Sequence, residues 1–253
     1  MFNTAGYDFG YPWWMTWGHL VPLVLFGVVA IAGVVLGWRR WIIVASGALT
    51  LWSLAGFLVL NRVLVVNRPL PLPTPQFLPG GAGRVLDMGA GSGRATLMVL
   101  QTRPAATVVA IDLYSGYWGI NDNTPQRLLR NASAAGVGTR VEARVADMRE
   151  LPFEDGSFDA AVSSFALDHL RGEGVALALR EAVRVLKPGG QILIMNLRAD
   201  AWIRLALPSL PGHGYFGATQ DPARWRTALD DAGFDLVEQG TQPGTIYFLA
   251  RKR

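Results

Sequence analysis

The stretch Val85-Leu86-Asp87-Met88-Gly89-Ala90-Gly91-Ser92-Gly93-Arg94-Ala95-Thr96 constrains the fold more than any other part of this chain. An apolar run ends in an acidic residue, three glycines follow on alternate positions, and a helical pattern begins. Val85 and Leu86 read as the end of a buried strand, and residues 95–100 as the start of a helix. Glycine has no Cβ and tolerates positive φ, so such a strand-to-helix turn lets backbone approach a ligand closely. The dinucleotide fingerprint places its third glycine three residues after the second. Arg94 stands there, so that fingerprint does not match.

Strand and helix patterns alternate after this turn. Residues 107–111 are β-branched and apolar and end in Asp112, about 20 residues past the turn, where nucleotide folds hold ribose hydroxyls. Residues 141–145 alternate and lead to Asp147-Met148. Residues 158–163 form another apolar strand after the turn Glu154-Asp155-Gly156-Ser157. Residues 176–186 have helical spacing and stop at Lys187-Pro188-Gly189-Gly190, since proline does not continue a helix and glycine caps one. Residues 191–197 read as a fifth strand. The alternation predicts an α/β fold with a doubly wound, mostly parallel sheet.

The glycine spacing, together with Leu151-Pro-Phe-Glu-Asp-Gly-Ser-Phe-Asp159 and Leu179-Arg-Glu-Ala-Val-Arg-Val-Leu-Lys-Pro-Gly-Gly190, closely resembles the class I S-adenosylmethionine-dependent methyltransferases. The nearest likeness is to the branch that methylates quinone precursors, sterols and other small acceptors, and it covers roughly residues 80–253. The resemblance implies a Rossmann-like, seven-stranded sheet and S-adenosylmethionine as cofactor. It implies that Gly89, Gly91 and Gly93 line the methionine half, with Asp87 near the amino group. Asp112 and Leu113 would meet the ribose, Asp147 and Met148 the adenine, and Ser163 would sit at the pocket mouth. Read on their own, an exposed turn carboxylate is the competing reading of Asp147 and a core side chain that of Met148.

Leu113-Tyr114-Ser-Gly-Tyr117-Trp118-Gly-Ile-Asn-Asp122-Asn123 departs from the family pattern by separating Asp112 from the next helix. Thr124-Pro125 reads as the N-cap and first residue of that helix. Loops at the C-terminal ends of parallel strands bind ligands. Tyr114, Tyr117 and Trp118 are therefore candidate acceptor contacts, or else a surface loop packed on its neighbours. Phe165-Ala-Leu-Asp168-His169 follows the fourth strand, where acceptor-facing residues of this family lie. His169 is the candidate general base, Asp168 its orienter and Phe165 an acceptor contact; a helix-capping role for the acid and the imidazole competes with this. Methyl transfer needs alignment and exclusion of water, and a base only where the acceptor loses a proton.

The first 64 residues are of another kind. Residues 17–38 contain no charged side chain before Arg39-Arg40, and residues 41–60 again contain none. Each run has the roughly 20 residues that cross a hydrocarbon core about 30 Å thick. Trp13, Trp14, Trp17, Trp38 and Trp41 cluster at the ends, where indoles favour the lipid–water interface. A signal peptide needs a basic segment ahead of its apolar run, and none precedes Trp17. Two transmembrane helices in a hairpin anchor are expected over residues 1–64. Gly33 and Gly37 give small-xxx-small spacing, which suits close packing with the second helix or with another copy in a homo-oligomer. Arg39 and Arg40 tie with Arg62 and Arg68 as topology signals. Cytoplasmic S-adenosylmethionine favours an inner-membrane protein with its catalytic domain inside.

Residues 65–83 are rich in proline, which predicts an extended, semi-rigid linker ahead of a catalytic domain at 84–253. The net charge is +4, but no dense basic cluster with interleaved aromatics points to nucleic acid; contact with anionic headgroups is the better use. Cysteine is absent, which removes disulfides, thiolate metal sites and cysteine nucleophiles. Histidines at 19, 169 and 213 are too scattered for a metal cluster. The expected function is transfer of a methyl group to a small, hydrophobic or lipid-like acceptor. A protein or soluble acceptor with the anchor used only for location is the alternative, as is a non-catalytic cofactor-binding scaffold.

Overall fold

The computed structural model describes residues 6–115, 120–198, 200–206 and 221–253. A seven-stranded sheet of order β3-β2-β1-β4-β5-β7-β6 organises the catalytic part. Its strands are β1 (Ala82–Met88), β2 (Ala105–Asp112), β3 (Val141–Val145), β4 (Phe158–Ser164), β5 (Leu186–Leu197), β6 (Phe234–Gln242) and β7 (Thr245–Lys252). The first five run parallel, and β7 is antiparallel to both β5 and β6. The order reverses between β1 and β4, and in open α/β sheets that crevice is the ligand site.

The central strands carry continuous apolar runs because both faces are covered. Val85, Val108, Ala160, Val162 and Leu193 pack on one face, Leu86, Val109, Ala161, Ile192 and Ile194 on the other. The predicted strand limits hold to within a few residues. One difference is informative. The Lys187–Gly190 turn lies inside β5, and the pairing jumps from Phe158↔Leu186 to Ala160↔Gln191. The turn is absorbed as a bulge, which brings the strand back into register after the helix ahead of it.

The N-terminal helices are α1 (Trp13–Trp17), α2 (Leu20–Val35) and α3 (Arg40–Leu58), the last continued by a π-helical turn Val59–Val63. The first apolar run breaks where a single helix was expected. Pro22 has no N–H and fits only the opening turn of a helix, so α2 starts at Leu20. It has 16 residues and a length of about 24 Å. The segment Arg40–Val63 has 24 residues with mean hydropathy 2.0, enough by length and composition to cross a membrane. α2 and α3 pack closely: a Cβ on Gly33 would come within 3.0 Å of Ile43. Gly33 thus serves contact within the hairpin. Val24, Ile31, Val35, Trp41, Val44 and Leu51 point outward and are 63–76% exposed.

The proline-rich stretch is docked rather than spanning open space. Phe77 is fully buried and Leu78 and Thr74 nearly so. Arg103 donates from Nε to the Phe77 carbonyl at 2.7 Å, and the Thr74 hydroxyl donates to Glu238 at 2.6 Å. Prolines leave many carbonyls without local N–H partners, and side chains of the domain supply the donors. Further helices are α4 (Arg94–Thr102), α5 (Pro125–Ala134), α6 (Gly174–Val185), α7 (Ala201–Ala206) and α8 (Pro222–Ala232). Thr124 caps α5 as its sequence predicts, accepting from the Arg127 N–H.

Candidate active site

β1 delivers its chain into the turn at residues 89–93, and three positive φ values (81°, 52° and 92°) carry it into α4. A Cβ on Gly89 would lie 2.3 Å from that of Ala166 and 2.9 Å from Met148 Cε, so only glycine fits. The N–H groups of Gly89 and Ala90 both donate to the Ile111 carbonyl at 2.9 Å. The turn is thereby fastened to the end of β2, where Asp112 stands.

Asp112 organises the crevice. One carboxylate oxygen accepts from the Gly91 N–H at 2.9 Å, the other from the Tyr114 N–H at 2.7 Å and from Asn123 at 3.3 Å. Four lone-pair directions on a carboxylate leave capacity for a further donor. Asp87 is fully buried. Thr96 donates to one of its oxygens at 2.6 Å; among the described residues the other has no hydrogen-bond partner. Burial raises the Asp87 carboxyl to about 7, against the lowering effect of Thr96.

The remaining predicted residues divide. Met148 lies at the glycine turn, partly buried against the core. Asp147 is bound by Arg149 through its N–H and guanidinium, which holds its carboxyl below the usual range; this is the turn-carboxylate geometry, with an arginine in addition. Leu113 is 54% exposed. Ser163 does not stand at a pocket mouth. It is 1% exposed and its hydroxyl donates to the Met88 carbonyl at 2.8 Å, tying β4 to β1.

Tyr114, a candidate acceptor contact, is half-buried. Its φ is +51°, and burial, with the charges of Asp112 and Asp87, pushes its hydroxyl pKa upward. Tyr117 and Trp118 lie outside the described residues. Phe165 has φ +53° and donates its N–H to the Met195 carbonyl at 2.8 Å, turning the chain off β4 into the short Leu167–His169 turn. Asp168 is 1% exposed. Burial lowers the His169 pKa despite a hydrogen bond with the Phe165 backbone, which favours the neutral imidazole. Among the described residues no group of three or more His, Cys, Asp or Glu could hold a metal ion.

Sequence reasoning missed a strap that crosses the turn from the N-terminal side. Phe9 is 2% exposed, and its carbonyl accepts from the Ser92 hydroxyl at 2.9 Å. Asn131 accepts from the Asp8 N–H at 2.9 Å and donates to the carbonyls of Asp8 and Ser92. Arg127 pairs with Asp8, and the Gly10 carbonyl accepts from the Asn121 N–H at 2.7 Å. Aromatic residues at 7, 9 and 11 were the available signal, obscured by the tryptophans that follow.

Residues 85–190 match the family described as a methyltransferase domain. Here the cradle, the acidic strand tip and the family pattern coincide. This chain carries a class I S-adenosylmethionine-dependent methyltransferase domain. The ubiquinone/menaquinone biosynthesis C-methyltransferase of a Geobacter species is 36% identical over 127 residues, 46% of this chain and 46% of the relative. The demethylmenaquinone methyltransferase of Thermus thermophilus is 32% identical over 147 residues, 53% of this chain and 62% of that one. The chain spans about half the length of the curated relatives it matches. A 1,6-didemethyltoxoflavin methyltransferase of Burkholderia thailandensis, solved with 1,6-didemethyltoxoflavin and S-adenosylhomocysteine, shares the fold. Its TM-score is 0.51 at 24% identity, over 69% of this chain and 72% of that chain. The methyltransferase domain fits its cofactor on its own geometry. The glycine cradle has no room for side chains, Asp112 can accept more donors, and Asp87 holds a buried oxygen with no protein donor among the described residues.

Proposed function

We propose that the protein is a membrane-anchored enzyme that transfers a methyl group from S-adenosylmethionine to a small, lipid-soluble acceptor, with its catalytic domain on the cytoplasmic side of a bacterial inner membrane. S-adenosylmethionine supplies a methyl group already activated by its sulfonium. The chain binds and orients: the glycine turn and Asp87 hold the methionine end, Asp112 the ribose, and neutral His169 takes a proton where the acceptor must lose one. The curated relatives named for quinone methylation support a small hydrophobic acceptor.

The observation that carries the anchored reading is the attachment of the apolar hairpin to the site at both ends. Before it, residues 6–12 pack on the glycine turn. After it, Arg94, the first residue of α4, donates to the Leu64 carbonyl at 3.1 Å, and Leu64 packs against Gly244 at the start of β7. Both hairpin ends therefore lie beside the domain, which supports a hairpin with the Arg39-Arg40 turn on the far side. The outward apolar residues of α2 and α3 suit lipid.

Membranes holding the full-length protein, incubated with methyl-labelled S-adenosylmethionine and a lipid extract, should yield label in an organic-extractable product. Label in protein or in aqueous metabolites alone would move the acceptor out of the lipid class. Carbonate washing should leave the chain in the membrane pellet, and release into the supernatant would remove the anchor.

A further inference from the structure

Arg94 stands where the dinucleotide fingerprint has its third glycine, and its side chain reaches from the cofactor turn to the end of the hairpin. Nη2 donates to the Leu64 carbonyl at 3.1 Å and to the Val65 carbonyl at 3.4 Å. These carbonyls belong to an unusual junction. α3 runs into the π-helical turn Val59–Val63, and Val65 follows with φ +47°. Left-handed backbone is an outlier for a β-branched residue and persists only where its surroundings hold it. Carbonyls at a helix end lack N–H partners and lie at its negative pole, so a guanidinium suits them.

The chain entering the hairpin is pinned to the same turn. Ser92 donates its hydroxyl to the Phe9 carbonyl at 2.9 Å, just ahead of α1. The two legs are also stitched to each other at their base. Asn61 donates to the Thr16 carbonyl at 2.9 Å, and the His19 ring fills the space over Gly56, where a Cβ would come within 2.4 Å of it. Both ends of the hairpin thus meet the turn at Ser92 and Arg94, beside Gly91, whose N–H binds Asp112.

We propose that Arg94 is a positioning residue through which the hairpin sets the shape of the glycine turn, so that affinity for S-adenosylmethionine follows the thickness of the bilayer. The inference rests on the membrane-anchored reading above. The segment Arg40–Val63 has 24 residues and a length of about 36 Å, more than a hydrocarbon core of about 30 Å. A stretch longer than the core tilts, and tilts further in a thinner bilayer. A base closed by Asn61 and His19 passes that tilt on instead of absorbing it by splaying. The junction that Arg94 holds is displaced with it, and the turn beside Gly91 takes up the displacement.

The test uses the full-length protein in nanodiscs of dimyristoleoyl- or dioleoyl-phosphatidylcholine, with S-adenosylmethionine affinity measured by calorimetry. Wild type should bind about fivefold or more weakly in the thinner, dimyristoleoyl bilayer. Arg94→Met should bind alike in both, within about twofold, because the link to the hairpin is cut. Arg94→Lys keeps one cationic donor and should show a dependence smaller than wild type; it is the second variant should methionine prevent folding. Equal or tighter binding of wild type in the thinner bilayer would overturn the proposal. So would a folded variant of either kind that keeps the full wild-type dependence, even one that melts lower, since the arginine is then only structural. Full-length protein that binds S-adenosylmethionine but stays outside the nanodiscs on gel filtration overturns the anchored reading instead.

Discussion

Thr96 donates its hydroxyl to Asp87 at 2.6 Å from the first turn of α4, and that bond decides how the buried carboxylate presents itself. One oxygen is committed to the helix, while the other faces no protein donor among the described residues. Burial raises the carboxyl to about 7, so near neutrality the ligand-free protein is divided between the acid and the carboxylate.

This gives a pH dependence with a definite sign. A raised carboxyl pKa means that the folded state binds the proton more tightly than the unfolded chain, so this group's contribution to stability falls as pH rises from about 4 through 7. A cationic amino group beside Asp87 favours the ionised form. Affinity for S-adenosylmethionine should therefore rise roughly tenfold from pH 6 to pH 8. Calorimetric titration in two buffers of different ionisation enthalpy should detect proton release at pH 6.5. Asp87→Asn should flatten the dependence, and a profile as steep as wild type would exclude Asp87 as its source.

Asp112→Ala removes the acceptor of the Gly91 and Tyr114 N–H groups as well as the expected ribose partner. S-adenosylmethionine affinity should fall about a hundredfold, or roughly 3 kcal/mol. Asp112→Asn keeps one acceptor oxygen and should lose less. Titration of both folded variants checks this; equal affinity for all three proteins would place the cofactor elsewhere.

Burial lowers the His169 pKa below the ordinary 6.5 and so favours the neutral imidazole. If it accepts the acceptor's proton, turnover should decline only as pH drops through that lowered value, because protonation removes the base. His169→Gln should lower kcat by about 10²–10⁴ and abolish that limb, while affinity for S-adenosylmethionine stays near wild type. A variant that keeps the acid limb shows that another group titrates.

Phe77 is fully buried between the docked proline segment and the catalytic core. Phe77→Ala should destabilise the protein by about 3–5 kcal/mol, read as a drop in denaturant midpoint. By the same packing, a domain cut at Gly80 loses Phe77, Leu78 and three carbonyl partners of Arg103. It should melt well below one cut near Pro69.

The strands and the cofactor turn were legible because their information is local. Apolar runs ending in Asp87 and Asp112, and glycine where φ must be positive, are decided by neighbours in sequence. Residues whose roles depend on distant partners were not. Ser163 reads as a pocket residue until Met88 claims its hydroxyl. The prolines at 69–79 read as a spacer until Arg103, Gln191 and Glu238 supply hydrogen bonds from the domain.

The strap over the glycine turn ties the order of synthesis to the order of assembly. Asp8 is translated 123 positions before Asn131, the side chain that clasps it, a delay of about 6–25 s at ordinary rates of elongation. Both apolar helices are made in that interval, so the N-terminal residues meet these partners only once α5 exists. Asp8 is thus held back from these contacts long after it is made, and a nascent chain that stops short of α5 never closes the wall beside its own glycine turn.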